Sequence, residues 1–307
     1  MQEAVDDVLD LLVGGAIAPG FTDKEIKDIV DGFLHDLHEL QPRGVDQTRR
    51  ALLEAAEGLQ SEAAELLVPL VQSAVGAIDW GLSAGPQRAL FAECWESVYV
   101  QDLRRLSRQI LVFRPPTVTR FWERLIELGS EVWQADLGEP WIRLVSGEDR
   151  ADPLEFWHTA MTQGGADSRS YEEPLRETAR SLAARAGRSV VERRFLFDQS
   201  YFQGDPERAP RFDAIVRWMN DAAITVSVAR RGDAPETRWA DFALVGDFAV
   251  SRFESVQGLS NRVLEENFSP EETTRAAEIW RNQLVPRWTS GGEEDFLTYT
   301  ERTQGWI

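Results

Sequence analysis

The sequence has three histidines, residues whose side chains can do acid–base or metal chemistry. His35 and His38 stand three residues apart in "HDLHE", a spacing that places both on one face of a helix and could hold a metal ion. A complete site needs further ligands, for which carboxylates such as Glu93 or Glu96 are candidates. Two surface histidines are the simpler interpretation, so we expect no bound metal and no cofactor.

The third histidine, His158, stands in "EFWHTAM", near Glu155. A catalytic histidine needs an orienting carboxylate and a nucleophile. Ser168, Ser170 and Cys94 could serve as the nucleophile, but no motif typical of a catalytic serine or cysteine surrounds any of them. We therefore expect His158 to be a packed or half-exposed helix residue.

A long loop, residues 198–210, follows the apolar run "RRFLFD" and mixes aromatic with polar side chains, among them Tyr201 and Phe202. Loops at the carboxyl ends of strands carry ligand sites in α/β folds. The loop is a candidate binding segment, and a packed surface loop is the alternative.

The segment "RWADFALVGDFAVSRFE", residues 238–254, consists of two apolar runs separated by Gly246 and Asp247. Two such runs around a Gly-containing turn predict a tight β-hairpin. Trp239 and Asp241 stand at the beginning of its first arm.

The sequence from "ERRFLFD" through "FDAIVRWMNDAAITVSVAR" to "DFALVGDFAVSRFE" resembles phospholipase D-like domains, and specifically the degenerate, non-catalytic versions in bacterial and archaeal regulatory proteins. The resemblance covers roughly residues 188–290. Catalytic members of the family carry His-x-Lys-x4-Asp, in which the His attacks phosphorus and the Lys holds phosphate oxygens. Trp239 stands at the His position, Asp241 at the Lys position, and Gly246 at the Asp position with Asp247 beside it. The resemblance implies a domain that keeps the fold of the family and lacks its catalytic residues. The alternative is an unrelated hairpin in which Gly246 and Asp247 only form a turn.

We expect "RRFLFD" and "ITVSVAR" to pair in parallel through a helix, and "DFALV" to run antiparallel to "ITVSVAR". This arrangement would gather Tyr201, Phe202, Trp239 and Asp241 at one edge of the sheet, facing the helical part, as an aromatic wall with one carboxylate. Such a wall suits a cationic or planar ligand, or an aromatic side chain of a partner. These four are the predicted ligand-binding residues, and no catalytic residue is predicted.

Helical patterns dominate the first part of the chain. "TDKEIKDIVDGFLHDLHEL" begins with a capping box and keeps helical apolar spacing. Further helices are predicted in the Ala- and Leu-rich segment that follows, from Pro86 to about residue 112, and after Pro115 and Pro116. We therefore predict an α+β protein: a helical bundle over residues 1–134, then a small α/β domain over 135–307 with helices around 258–288.

The composition limits the possible functions. The net charge of −19 argues against sequence-independent binding to nucleic acid, which needs a basic face. Cys94 is the only cysteine, which excludes an intrachain disulfide and a cysteine-based zinc site. No apolar run approaches the roughly 18–20 residues of a membrane span, and the acidic N-terminus does not resemble a signal peptide. We expect a cytoplasmic protein without a membrane span.

Together these patterns favour a non-enzymatic cytoplasmic regulatory or ligand-sensing interaction protein. Its partner would be a small molecule or another protein that the sequence does not identify. The alternative is an enzyme with a small-molecule site between the helical part and the α/β part.

Overall fold

The chain divides into two compact units. The first contains residues 1–117 together with 265–269, and the second contains 118–264 together with 270–307. The helical sequence pattern, by comparison, extends to residue 134. The computed structural model describes residues 23–40, 44–58, 64–95, 108–113, 118–133, 139–147, 153–162, 166–198, 200–203, 205–255 and 262–303.

Helices form most of the described first unit: α1 (Asp23–Leu40), α2 (Val45–Gly58), α3 (Ala64–Leu82) and α4 (Gln87–Cys94). Helix α3 packs against the other three. Leu37, Leu52, Ile78 and Phe91 are buried among the core residues of this unit. These helices form where the sequence shows apolar residues at helical spacing, because that spacing gives each helix one face to bury.

The first unit also contains a strand, β1 (Ile110–Phe113), where the sequence pattern predicted the end of a helix; that part of the prediction is wrong. Leu111, Val112 and Phe113 are consecutive and all buried. A helix with one buried face would expose one of three consecutive residues, whereas a strand covered on both faces buries all of them. In this unit the backbone N–H of Phe268 donates to the carbonyl oxygen of Gln109 at 3.0 Å.

The second unit is built on a mixed sheet, which makes the protein α+β. Its strands are β2 (Ile142–Ser146), β3 (Val191–Phe197), β4 (Ile224–Arg230), β5 (Asp241–Val245), β6 (Ala249–Ser255), the start of β7 (Arg262–Asn267) and β8 (Trp288–Thr289). Neighbouring strands follow the order β7-β6-β5-β2-β3-β4-β8. Strands β2, β3 and β4 are parallel, β5 is antiparallel to β2, and β6 is antiparallel to β5.

Helices cover both faces of this sheet. The helices are α5 (Val118–Glu131), α6 (Pro153–Thr162), α7 (Ala166–Ala186), α8 (Arg208–Asn220), α9 (Pro270–Asn282) and α10 (Phe296–Arg302). We call the face that carries Phe195 and Phe197 the crossover face, because Phe195 contacts Phe212 of α8 at a ring-centroid distance of 5.1 Å. We call the face that carries Arg194 and Leu196 the α9 face, because the Arg194 guanidinium lies 3.7 Å from the ring centre of Trp280 in α9. Adjacent residues of a strand point to opposite faces.

The parallel pairing of β3 with β4 and the hairpin of β5 with β6 are confirmed. The expected pairing of β5 with β4 is wrong, because β5 pairs with β2. The connection from residue 231 to residue 240 can extend over about 33 Å. Passing from β4 over β3 and β2 to β5 requires only about 15 Å at the usual strand spacing. Both partners were therefore within reach of β5, and the sequence pattern did not distinguish them.

The predicted helical region around residues 258–288 also needs correction. Strand β7 precedes helix α9 there, and Leu264, Glu265 and Glu266 are all buried, as expected of a covered strand. Among the described residues, no helix is long and apolar enough to cross a membrane.

Candidate functional site

The carboxyl ends of β2, β3 and β4 meet at one edge of the sheet, which we call the carboxyl edge. The strands end there at Ser146, Phe197 and Arg230, and β5 begins there, since Asp241 lies opposite Ser146 in the register. Open α/β sheets bind ligands outside the carboxyl ends of their parallel strands. The carboxyl edge is therefore the candidate ligand-binding region of this unit.

A buried polar group lies on the crossover face next to this edge. Arg193 donates from Nη1 to Oγ of Ser146 at 3.0 Å, and from Nη2 to both carboxylate oxygens of Glu172 in α7 at 2.8 and 3.0 Å. Its guanidinium lies 4.3 Å from the ring centre of Trp157 in α6. Arg193 is 4% exposed and Glu172 is 5% exposed, so the pair is removed from solvent. Asp241 is half-buried and lies opposite Ser146 in the pairing of β5 with β2.

The loop that carries Tyr201 and Phe202 folds onto the crossover face. The Tyr201 ring stacks on Phe197 with centroids 4.9 Å apart, and the buried Phe202 contacts Phe296 of α10 at 5.2 Å. Arg208 covers the Tyr201 ring at 4.4 Å and donates to the Tyr201 carbonyl oxygen at 2.6 Å. The described part of this loop is thus tied down by aromatic packing and by Arg208.

Trp239 lies on the α9 face and is 0% exposed. It belongs to a cluster with Leu196 of β3 and Ala276 of α9, and its ring contacts Phe242 at 5.5 Å. Three guanidinium groups lie around the Trp239 ring: Arg252 at 4.3 Å, Arg238 at 5.2 Å and Arg275 at 5.5 Å from the ring centre.

The predicted aromatic wall does not form, and this geometric expectation is wrong. Tyr201 packs on Phe197, whereas Trp239 packs with Leu196, and these neighbouring residues of β3 point to opposite faces of the sheet. The error follows from the tight turn before β5, Thr237–Trp239, which turns the indole ring under α9. Asp241 does lie at the carboxyl edge, so its role as a ligand-binding residue stays a prediction, as do those of Tyr201, Phe202 and Trp239.

The other candidate residues are not assembled into a site by the described structure. His35 is exposed on α1, His158 is half-buried on α6, and the side chains of His38 and Cys94 lie outside the described residues. Over the side chains that the structure does describe, no group of three or more His, Cys, Asp and Glu residues is arranged to hold a metal ion.

Sequence reasoning missed the buried arginines. Arg193 and Arg194 are adjacent in a central strand, so one points to each face of the sheet and each needs a buried partner. The signal was visible as two arginines inside the otherwise apolar run "ERRFLFD". Glu192, one partner of Arg194, stands in the same run, but Glu172 and the carbonyl group of Trp280 in α9 are distant in sequence, so the pattern alone does not identify them.

Comparison with known proteins adds no relative: no protein-family model, no curated protein and no solved structure matches this chain.

Proposed function

We propose that this chain is a non-enzymatic, cytoplasmic regulatory or ligand-sensing protein, with an N-terminal helical bundle and a degenerate phospholipase D-like α/β domain. The order strand β3, helix α8, parallel strand β4 and hairpin β5–β6 supports this proposal, since it is the order on which the resemblance rests. The hairpin also begins at the carboxyl edge, where ligands bind in open sheets.

The observation that carries the proposal is the complete burial of Trp239. The resemblance places the nucleophilic His of catalytic members at this position. An indole has no lone pair suited to attack phosphorus, and this one is covered by Arg252 and helix α9. Asp241 stands at the Lys position, where a carboxylate repels a phosphate instead of holding it.

Asp241 brings a carboxylate to the carboxyl edge, opposite Ser146, and is half-buried there. The carboxylate therefore favours a ligand that carries positive charge, and partial burial strengthens that attraction compared with water. We infer that the ligand is an organic cation or a basic side chain of a partner.

Thermal unfolding in the presence of a panel of organic cations tests this inference. The expected result is that at least one cation raises the Tm of the wild type, and that Asp241→Asn removes the increase. Asp247→Asn is the matched control, because Asp247 is an exposed carboxylate in the turn of the same hairpin. Equal shifts in all three proteins, or a panel without any shift, would contradict a ligand site at Asp241.

A further inference from the structure

The arginines around Trp239 form a group that the proposed function does not use. Arg238, Arg252 and Arg275 lie around one fully buried indole on the α9 face. Glu272 pairs with Arg252 at 2.9 Å, and Glu236 pairs with the other two arginines. Three arginines are thus gathered around one ring in a chain whose net charge is −19.

Glu236 is held between two arginines. One of its carboxylate oxygens lies 2.8 Å from Nε of Arg238 and the other lies 2.8 Å from Nη2 of Arg275. Two guanidinium groups that converge on one carboxylate are the arrangement proteins use to bind oxyanions. We call Arg238 and Arg275 the arginine clamp, and Glu236 is its internal occupant.

The clamp is open to solvent while the ring beneath it is buried. The side chains of Arg238, Arg275 and Glu236 are 43%, 44% and 47% exposed, so a dissolved ligand can reach them. Trp239 beneath them is completely buried, and its indole N–H has no hydrogen-bond acceptor in the described part of the chain. Buried donors without acceptors are rare in folded proteins, so the unpaired indole N–H is an unusual feature of this group.

Glu236 belongs to the connection between β4 and β5, outside any regular element. Its backbone is extended, with φ −147° and ψ 154°, and it directly precedes the turn Thr237–Trp239. Arg275 is anchored differently, in the middle of helix α9. Glu236 can therefore leave the clamp by rotating its own side chain, without moving a helix or a strand.

The presence of Glu236 determines which ligand can compete. An internal carboxylate acts at a high effective concentration, so a dissolved carboxylate of the same charge has no advantage over it. A phosphomonoester dianion carries close to two negative charges and three acceptor oxygens, and it can bind both arginines more strongly. We propose that the arginine clamp is a binding site for the phosphomonoester group of a small molecule, which displaces Glu236.

This site is separate from Asp241, which lies on the crossover side of the sheet, and it does not depend on the resemblance to phospholipase D-like domains. Its failure and the failure of the cation site are therefore distinguishable.

Isothermal titration calorimetry with inorganic phosphate as the probe tests the proposal on the full chain, with sodium chloride added to keep the ionic strength constant. We expect the wild type to bind phosphate and Glu236→Gln to bind it roughly tenfold more tightly, because the internal competitor is gone. Arg238→Gln combined with Arg275→Gln should abolish binding, and acetate should not bind the wild type. Circular dichroism of each variant shows whether it is folded.

Glu294→Gln is the matched control. Among the described residues Glu294 pairs with one arginine, Arg302, whose guanidinium lies over the Tyr299 ring, so this carboxylate is not held between two guanidinium groups. This substitution should leave the phosphate affinity unchanged. The proposal is overturned if Glu236→Gln binds phosphate no more tightly than Glu294→Gln does. It is also overturned if only Glu236→Gln binds phosphate, because Glu236 would then be a permanent partner of the clamp.

Discussion

Arg194 connects the sheet of the second unit to helix α9. Its Nη1 donates to the carbonyl oxygens of Trp280 and Leu284 at 2.7 and 2.6 Å, and its Nη2 pairs with Glu192 at 2.8 Å. Trp280 lies in the last turn of α9, where carbonyl groups have no donor within the helix, and Leu284 follows the end of the helix. Arg194 supplies a donor to both from the sheet. Burial lowers the pKa of Arg194 and the charge of Glu192 opposes this effect, so the guanidinium stays a cation at neutral pH.

Replacing this cation should be costly. Arg194→Met is expected to lower the free energy of unfolding by roughly 3–5 kcal/mol, because it leaves Glu192 without its cation and two buried carbonyl groups without a donor. Urea denaturation followed by circular dichroism measures the change. Arg281→Met is the control, since Arg281 is an exposed residue of α9 paired with Glu139, and it should cost about 1 kcal/mol or less. Equal losses in the two variants would contradict the role of Arg194.

Glu266 in the first unit is a buried carboxyl group of a different kind. It is 0% exposed, and neither carboxylate oxygen finds a hydrogen-bond partner among the described residues. Burial raises the pKa of Glu266 well above its ordinary value of 4.5. Below about pH 4.5 both the folded and the unfolded chain hold this proton. Above that pH the unfolded chain releases the proton first, so the folded state loses stability until the pH passes the raised pKa.

Glu266→Gln removes this titration. The wild type should lose stability relative to the variant as the pH rises above about 4.5, because burial raises the pKa of Glu266 well above that value. Urea denaturation at a series of pH values measures the difference. Glu39→Gln, which makes the same substitution at an exposed position of α1, is the control. A constant difference between the wild type and Glu266→Gln across this range would contradict a buried, protonated Glu266.

At the scale of elements, the hairpin β5–β6 depends on the glycine in its turn. Gly246 has φ +58°, and a Cβ there would lie 2.6 Å from the Trp141 ring. Its N–H donates to the Trp141 carbonyl oxygen at 2.7 Å, and its carbonyl oxygen accepts from Nη2 of Arg143 at 2.6 Å. The turn is therefore fixed from both sides in a conformation that favours glycine.

Gly246→Ala should lower the free energy of unfolding by at least about 1–2 kcal/mol, since the backbone conformation alone costs that much for a residue with a Cβ. The clash with Trp141 adds to this cost. Asp247→Ala, in the same turn but exposed, should change stability by less than about 0.5 kcal/mol. Thermal unfolding of the two variants compares them directly, and similar Tm values would contradict the fixed turn.

The elements differ in how far the sequence predicts them. The hairpin and the pair β3–β4 were predictable, because their apolar runs are bounded by Gly, Asp and a clear amphipathic helix. Strand β1 was not, because four apolar residues fit a helix end as well as a strand. The partner of β5 depends on which strand edge is available, and the candidate site depends on which face Trp239 turns to. Neither is encoded in local periodicity.

At the scale of the whole molecule, the chain is strongly acidic, with a net charge of −19. Arg143, Arg193, Arg194 and Arg252 are buried, and each has at least one hydrogen-bond or ion-pair partner within the fold. We expect no binding to a labelled random-sequence DNA duplex at physiological salt in fluorescence anisotropy, since a phosphate backbone requires a basic face. Saturable binding that weakens with added salt would contradict this expectation.

We expect that the protein does not hydrolyse phosphodiesters, and one assay tests this expectation most directly. The purified full chain is incubated with bis(p-nitrophenyl) phosphate, with and without divalent metal ions, beside the variant that combines Trp239→Ala with Asp241→Ala. The wild type should release no more nitrophenol than this variant, because position 239 is a buried indole and position 241 a carboxylate. Turnover by the wild type that disappears in the double variant would show that the hairpin is a catalytic site and would contradict the account.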